Sequence, residues 1–168
     1  MDDAFDPLPI LKVLAAHRVR FVVIGGYAAF LQHAPFLTND VDITPDQSAA
    51  NLERLSAALT ELDARIRTQS DPEGLPFNHN AASLAGVRVW NLTTPHGDLD
   101  ISFVPNGTTG YDDLAADATD ATIHGVTIQV ASLADIIRSK QAANRPKDQR
   151  VLPTLREILA YRHAKNRA

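Results

Sequence analysis

Two short runs of this sequence place carboxylates where they could act together. In Asp40-Val41-Asp42 the acids flank one apolar residue, and Ile43 and Thr44 continue a run that reads as a strand. Side chains two apart on a strand point to one face, so both carboxylates project together. Anions held side by side raise each other's pKa. A divalent cation removes that conflict, and hard Mg²⁺ prefers such oxygen ligands. Taken alone, the pair also fits a solvated turn, where Asp-x-Asp is common.

The second run is Asp98-Leu99-Asp100-Ile101-Ser102-Phe103. With Leu99, Ile101 and Phe103 on a buried face, Asp98, Asp100 and Ser102 share the other. That row is either plain solvent exposure or the source of a third carboxylate facing the first two, and spacing does not separate Asp98 from Asp100. Three acids around two cations suit in-line phosphoryl or nucleotidyl transfer: one ion lowers the pKa of the attacking hydroxyl and the other steadies the triphosphate. A third feature is the apolar strand Phe21-Val22-Val23-Ile24, which stops at Gly25-Gly26 before an apolar helix. Unencumbered backbone N–H groups at a helix N-terminus bind phosphate well. A lone Gly-Gly is common punctuation. Its weight comes from position, since one helix and a short turn separate Gly26 from Asp40.

These residues need elements to hold them. Leu8 to Leu14 form a short helical stripe ending near His17, and a second helix runs from Tyr27 to His33 until Pro35 breaks it. A clear helix spans Gln47 to Leu62, with Leu52, Leu55, Leu59 and Leu62 at three- and four-residue steps and Asp46 placed to cap it. Residues 68–80 are rich in breakers and predict a long loop. Val87 to Thr94 and Asp98 to Val104 predict a β-hairpin around Pro95-His96-Gly97, and residues 121–130 another around His124-Gly125. A short helix is expected at Tyr111–Ala116. Ser132 with Asp135 resembles a capping box opening a helix to about Ala142, and Asn144-Arg145-Pro146 breaks it before a last, basic helix. The expectation is one mixed α/β (α+β) domain over 1–168: a small mixed sheet flanked by helices in a core of 20–130, and a basic helical part at 131–168.

Together, Ile24-Gly25-Gly26-Tyr27-Ala28-Ala29-Phe30, Thr38-Asn39-Asp40-Val41-Asp42-Ile43 and Gly97-Asp98-Leu99-Asp100-Ile101-Ser102 resemble the DNA polymerase β-like nucleotidyltransferase superfamily. The resemblance implies the nucleotidyltransferase fold, a triphosphate over Gly25 and Gly26, metals on Asp40 and Asp42, and Asp100 as third ligand. Ile137-Arg138-Ser139-Lys140 followed by Arg145-Pro146-Lys147-Asp148 is similar to the helical signature of the AbiEii/MenT group, nucleotidyltransferase toxins of bacterial toxin–antitoxin systems. The similarity runs over about residues 20–152. It implies that Lys140, Lys147 and Asp148 face the nucleotide in binding or catalytic roles, with Arg145 beside them. It further implies Mg²⁺ or Mn²⁺ as cofactor, a nucleoside triphosphate as substrate, the 3′ end of tRNA as acceptor and a cognate antitoxin as partner. The sequence departs from the pattern at Gly26, where serine is frequent; the missing hydroxyl is left to Thr38 or Tyr27.

Bulk properties bound the remainder. The chain has 168 residues, enough for a real core, with 45% hydrophobic and 21% charged residues. It has no cysteine, which excludes a thiol nucleophile, a disulfide framework and a thiolate zinc site. No apolar run is long enough to span a bilayer, and the acidic start Met1-Asp2-Asp3 is unlike a signal peptide. The cytoplasm is the expected compartment, with no membrane partner. The net charge of −4 conceals an asymmetry: residues 136–168 hold nine bases against two acids, leaving the rest strongly acidic. Such a basic end either solvates exposed helices or meets a polyanion. With little room for an acceptor-recognition domain, that work falls to the basic end. The six histidines are scattered without zinc spacing, Ser132 reads as a cap, and Trp90 and Tyr111 read as packing residues.

Overall fold

The computed structural model describes residues 4–168, so the acidic start at Met1–Asp3 lies outside the described residues. Helix α1 (Leu8–Ala16) buries Ile10, Leu11 and Leu14, the predicted stripe. Strand β1 (Phe21–Ile24) passes directly into α2 (Gly25–Leu31), and β2 (Asp40–Pro45) follows after the turn at Pro35. Helix α3 (Ala49–Glu61) buries Leu52, Leu55 and Leu59, as its periodicity requires. Its cap is Ser48, whose hydroxyl accepts from the Asn51 N–H, and not Asp46. Asp46 lies too early in the chain: its carboxylate instead accepts from the Ser48 N–H and hydroxyl and pairs with Arg20.

Two elements lie outside the expectations from sequence. Strand β3 (Arg65–Ile66) has only two residues, too few for an alternation to register. Helix α4 (Ala81–Ala85) is set by a capping box between Asn80 and Ser83 that lies at the edge of the breaker-rich stretch. Between them, residues 68–80 form the expected loop, held by a bridge from Ile66 to Leu75, by bonds between Ser56 and His79, and by the stacking of Phe77 on Trp90. The first hairpin is β4 (Val89–Thr94) and β5 (Gly97–Ser102), paired from Thr94↔Gly97 to Val89↔Ser102. Helix α5 (Tyr111–Asp117) leads to the second, β6 (Thr119–Ile123) and β7 (Val126–Val130), turning at His124 and Gly125, both of positive φ.

The seven strands form one mixed sheet in the order β3-β4-β5-β2-β1-β7-β6. Its centre carries the site. Strand β2 runs antiparallel to β1 and parallel to β5, and β1 runs parallel to β7. The alternation expected for β5 holds: Leu99 and Ile101 are buried, and Phe103 just beyond the strand with them. They join Val41, Ile43 and Leu92 in one core with the leucines of α1 and α3.

Helix α6 (Leu133–Ala143) is capped by Ser132, which accepts from the Asp135 N–H as predicted. The reciprocal half of the box is absent, because the Asp135 carboxylate turns to Arg138. Asn144 ends the helix in the left-handed region (φ 51), and Arg145 is extended ahead of Pro146, which opens α7 (Pro146–Asn166) at its first position. Helix α2 packs on β1, β2 and α6, and α6 carries α7, whose first-turn Lys147 lies near enough to lower the pKa of Asp42. No helix among the described residues is long and apolar enough to cross a membrane.

Candidate metal and nucleotide site

Register brings the acids together. In the β2–β5 pair Asp40 stands opposite Asp98 and Asp42 opposite Asp100, while Ile24, the last residue of β1, stands opposite Asp42. Carboxylate oxygens of Asp40, Asp42 and Asp100 all lie within 4.8 Å of one another. Asp98 is not part of this cluster; its side chain is 38% exposed against 17% for Asp100. Register alone sets both acids beside β2; it is the carboxylate oxygens that single out Asp100 as the third member of the cluster.

Three acids this close oppose one another. Burial, with Asp40 and Asp100 adding to it, pushes the Asp42 carboxyl up to about 7, against the smaller opposing pull of Lys147 and Lys140. Burial also raises Asp100, an effect that Arg67 only partly offsets. A hard divalent cation supplies the missing positive charge, and a set of three carboxylate oxygens fits one. These are the residues that could hold a metal.

Gly25 takes φ +69, and a Cβ there would stand 2.4 Å from Oδ2 of Asp42. Only glycine lets the first turn of α2 pass against this carboxylate. At Gly26 a Cβ would stand 3.3 Å from Oγ1 of Thr38. The Thr38 hydroxyl therefore already fills the space that a serine side chain would enter, and it donates to Oδ1 of Asp40 at 2.9 Å. Tyr27 is buried at 6% exposure and stacks on Phe30, so of the two hydroxyls considered, Thr38 is the one beside the glycines.

The junction of α6 and α7 is built around Asp148, which has no exposed surface. Its carboxylate accepts from the Arg145 backbone N–H at 3.1 Å and from the Arg145 guanidinium at 2.7 and 3.2 Å, and Nζ of Lys140 lies 3.6 Å away. Burial alone would raise its pKa, but the Arg145 bonds and Lys140 outweigh burial and hold it low. Asp148 thus points into the protein and anchors two cations. Lys140 is itself largely buried, whereas Lys147 is exposed, and both bear on Asp42. Other basic side chains of this region are also bound internally: Arg138 to Asp113 and Asp135, and Arg162 to the side chain and backbone carbonyl of Gln32 at the end of α2.

One residue of the site escaped sequence reasoning. Arg67, just past β3, donates to Asp100 at 2.8 Å and lies 3.4 Å from Asp98. The only signal was Arg65-Ile66-Arg67, an alternation too short to read as a strand ahead of a loop.

No protein-family model and no curated protein matches the chain. Solved structures do. The lincosamide antibiotic adenylyltransferase LnuA, lincomycin-bound, superposes with a TM-score of 0.58 at 16% identity, over 90% of this chain and 94% of that one. The antibiotic-resistance factor ANT(2'')-Ia gives 0.52 at 15% identity, covering 94% and 91%. An antigenic nucleotidyltransferase-like protein from Paracoccidioides brasiliensis gives 0.50 at 17%, covering 88% and 72%. At such identities the likeness speaks to architecture and not to activity. The architecture it establishes, with an acidic triad at the centre of the sheet, is the nucleotidyltransferase fold.

Proposed function

We propose that this protein is a Mg²⁺-dependent nucleotidyltransferase that moves a nucleotidyl group from a nucleoside triphosphate to an acceptor hydroxyl. The observation that carries the reading is the cradle of Asp40, Asp42 and Asp100, whose negative charge Arg67, Lys147 and Lys140 offset only in part. A divalent ion there, Mg²⁺ or Mn²⁺, would acidify the acceptor hydroxyl and offset charge on the triphosphate. The backbone of Gly25 and Gly26 binds the phosphates at the start of α2, with the Thr38 hydroxyl beside them. Lys140 and Lys147 add positive charge on the same side. Asp148 acts as a positioning residue that holds Lys140 and Arg145 in place.

For the acceptor, the 3′ end of tRNA is the finer proposal, with the protein acting as the toxin of a toxin–antitoxin pair that blocks translation. Support comes from the signature at Lys140 and Arg145–Asp148, and from Lys147, Arg150, Arg156, Lys165 and Arg167, which are exposed and form no ion pair among the described residues. A specific observation favours a second acceptor class. LnuA, an antibiotic adenylyltransferase, and ANT(2'')-Ia, an antibiotic-resistance factor, match this chain nearly end to end, so a small hydroxyl compound also fits a chain of this size.

The test is incubation with each labelled nucleoside triphosphate, Mg²⁺ and total RNA at several salt concentrations. Label in RNA, falling steeply with salt, is the expected result, because each neutralised phosphate releases counterions. Absence of label in RNA with every nucleotide sinks the tRNA proposal, and transfer to a small hydroxyl compound with little salt dependence establishes the second.

A further inference from the structure

Arg67 is placed with more care than a surface arginine needs. Its backbone N–H donates to the Asn91 carbonyl at 2.9 Å, extending the β3–β4 ladder by one residue. Asn91 in turn stands opposite Asp100, and Asp100 opposite Asp42, so Arg67 lies in line with the cradle across three strands. Its guanidinium then grips at three points. Nη1 donates to the Leu92 carbonyl at 2.8 Å and lies 3.4 Å from Oδ2 of Asp98, while Nη2 donates to Oδ1 of Asp100 at 2.8 Å. The side chain is 28% exposed.

The geometry points to Arg67 as the positioning residue that fixes the third carboxylate of the metal cradle. The inference rests on the metal reading of Asp40, Asp42 and Asp100. A freely rotating Asp100 would turn away from two neighbouring anions. With Oδ1 held by a guanidinium that is itself tied to a backbone carbonyl, that turn is blocked, and the second oxygen stays available to a ligand. Asp98 contributes by holding the other edge of the same guanidinium. An exposed ion pair alone would contribute little. A ligand carboxylate restrained by a fixed partner is different, because such partners commonly set metal affinity by 10- to 100-fold.

The test measures Mn²⁺ binding to the full chain by electron paramagnetic resonance of the free ion, with circular dichroism confirming the fold. Arg67→Ala is expected to weaken Mn²⁺ binding about 10- to 100-fold. Arg67→Lys, which keeps the charge but not the fork, recovers only part of that loss. It also stands in if the alanine variant does not fold. Wild-type or tighter affinity in the folded Arg67→Ala protein, or full affinity in Arg67→Lys when only that variant folds, overturns the assignment. Asp42→Asn is measured alongside. If Asp42→Asn binds Mn²⁺ like the wild type, the cradle is not the metal site and both readings fall; if it loses Mn²⁺ while Arg67→Ala does not, only the role of Arg67 falls.

Discussion

Two aspartates of this protein, Asp42 and Asp148, are both withdrawn from water, and the protein treats them in opposite ways. Asp148 at the α6–α7 junction has no exposed surface, yet a backbone N–H, a guanidinium and an ammonium meet it, and its pKa is held low. Asp42 has two further carboxylates for neighbours and is pushed up to about 7. Burial acts in the same direction on both. What differs is whether the fold itself provides the counter-charge. Where it does, the acid anchors an element. Where it does not, the result is an acidic cluster that could hold a metal ion. Structural and functional carboxylates are thus told apart by their partners and not by depth.

The contrast can be broken most forcefully by removing charge at each end. Asp42→Asn should reduce nucleotidyl transfer by about 10³-fold or more, since on the proposed function it removes a metal ligand that balances transition-state charge. The same change should stabilise the metal-free protein at pH 8 by about 0.5–2 kcal/mol, because it relieves the repulsion of Asp42 by Asp40 and Asp100. Asp148→Ala should do the reverse for stability. It leaves Lys140 and Arg145 facing a buried gap and should cost about 3–5 kcal/mol in urea unfolding. If the two substitutions change stability in the same direction, the comparison fails.

Gly25→Ala tests the close approach between α2 and the cradle. With φ +69 and a Cβ 2.4 Å from Oδ2 of Asp42, the substitution should cost about 1–3 kcal/mol and displace that carboxylate, lowering metal affinity as well as stability. A stable variant with wild-type Mn²⁺ binding would show that the contact is looser than described.

Stability against pH gives a smaller effect of definite sign. The folded state raises the Asp42 pKa from 3.8 to about 7, so between those values it binds more protons than the unfolded chain. Stability of the metal-free protein should therefore fall as pH rises through this window and level off above it. Saturating Mg²⁺ should flatten the decline, which urea titrations at a series of pH values would read. The smallest expected effect lies in the tail. Replacing Arg156, Lys165 and Arg167 together by alanine should leave stability nearly unchanged while lowering the salt slope of RNA binding by about 0.7 for each phosphate no longer neutralised.

Much of the cradle was legible in the sequence because its geometry is local. Asp40 and Asp42 share a face by strand alternation alone, as do Asp98 and Asp100, and Gly25 stands where β1 meets α2. What was not legible depends on pairing between distant segments. The grouping of Asp100, and not Asp98, with Asp40 and Asp42 depends on side-chain placement between β2 and β5, strands more than fifty residues apart. Arg67 escaped because β3 has two residues and its partners lie on β4 and β5. The inward turn of Asp148 was hidden for a similar reason: a motif shows that charges are adjacent, but not which of them face solvent. The cap at Ser48 instead of Asp46 is a lesser case, a displacement by two residues among several good capping side chains.

The most direct test of the central claim is a calorimetric titration of Mn²⁺ into the protein at pH 7, repeated in buffers of different ionisation enthalpy to count protons. With the Asp42 carboxyl raised to about 7, saturable binding should release a fraction of a proton, and Asp42→Asn should abolish both the binding and the release. Binding that persists unchanged in Asp42→Asn, or that releases no proton, would contradict the account of a partly compensated cradle that takes up a cation.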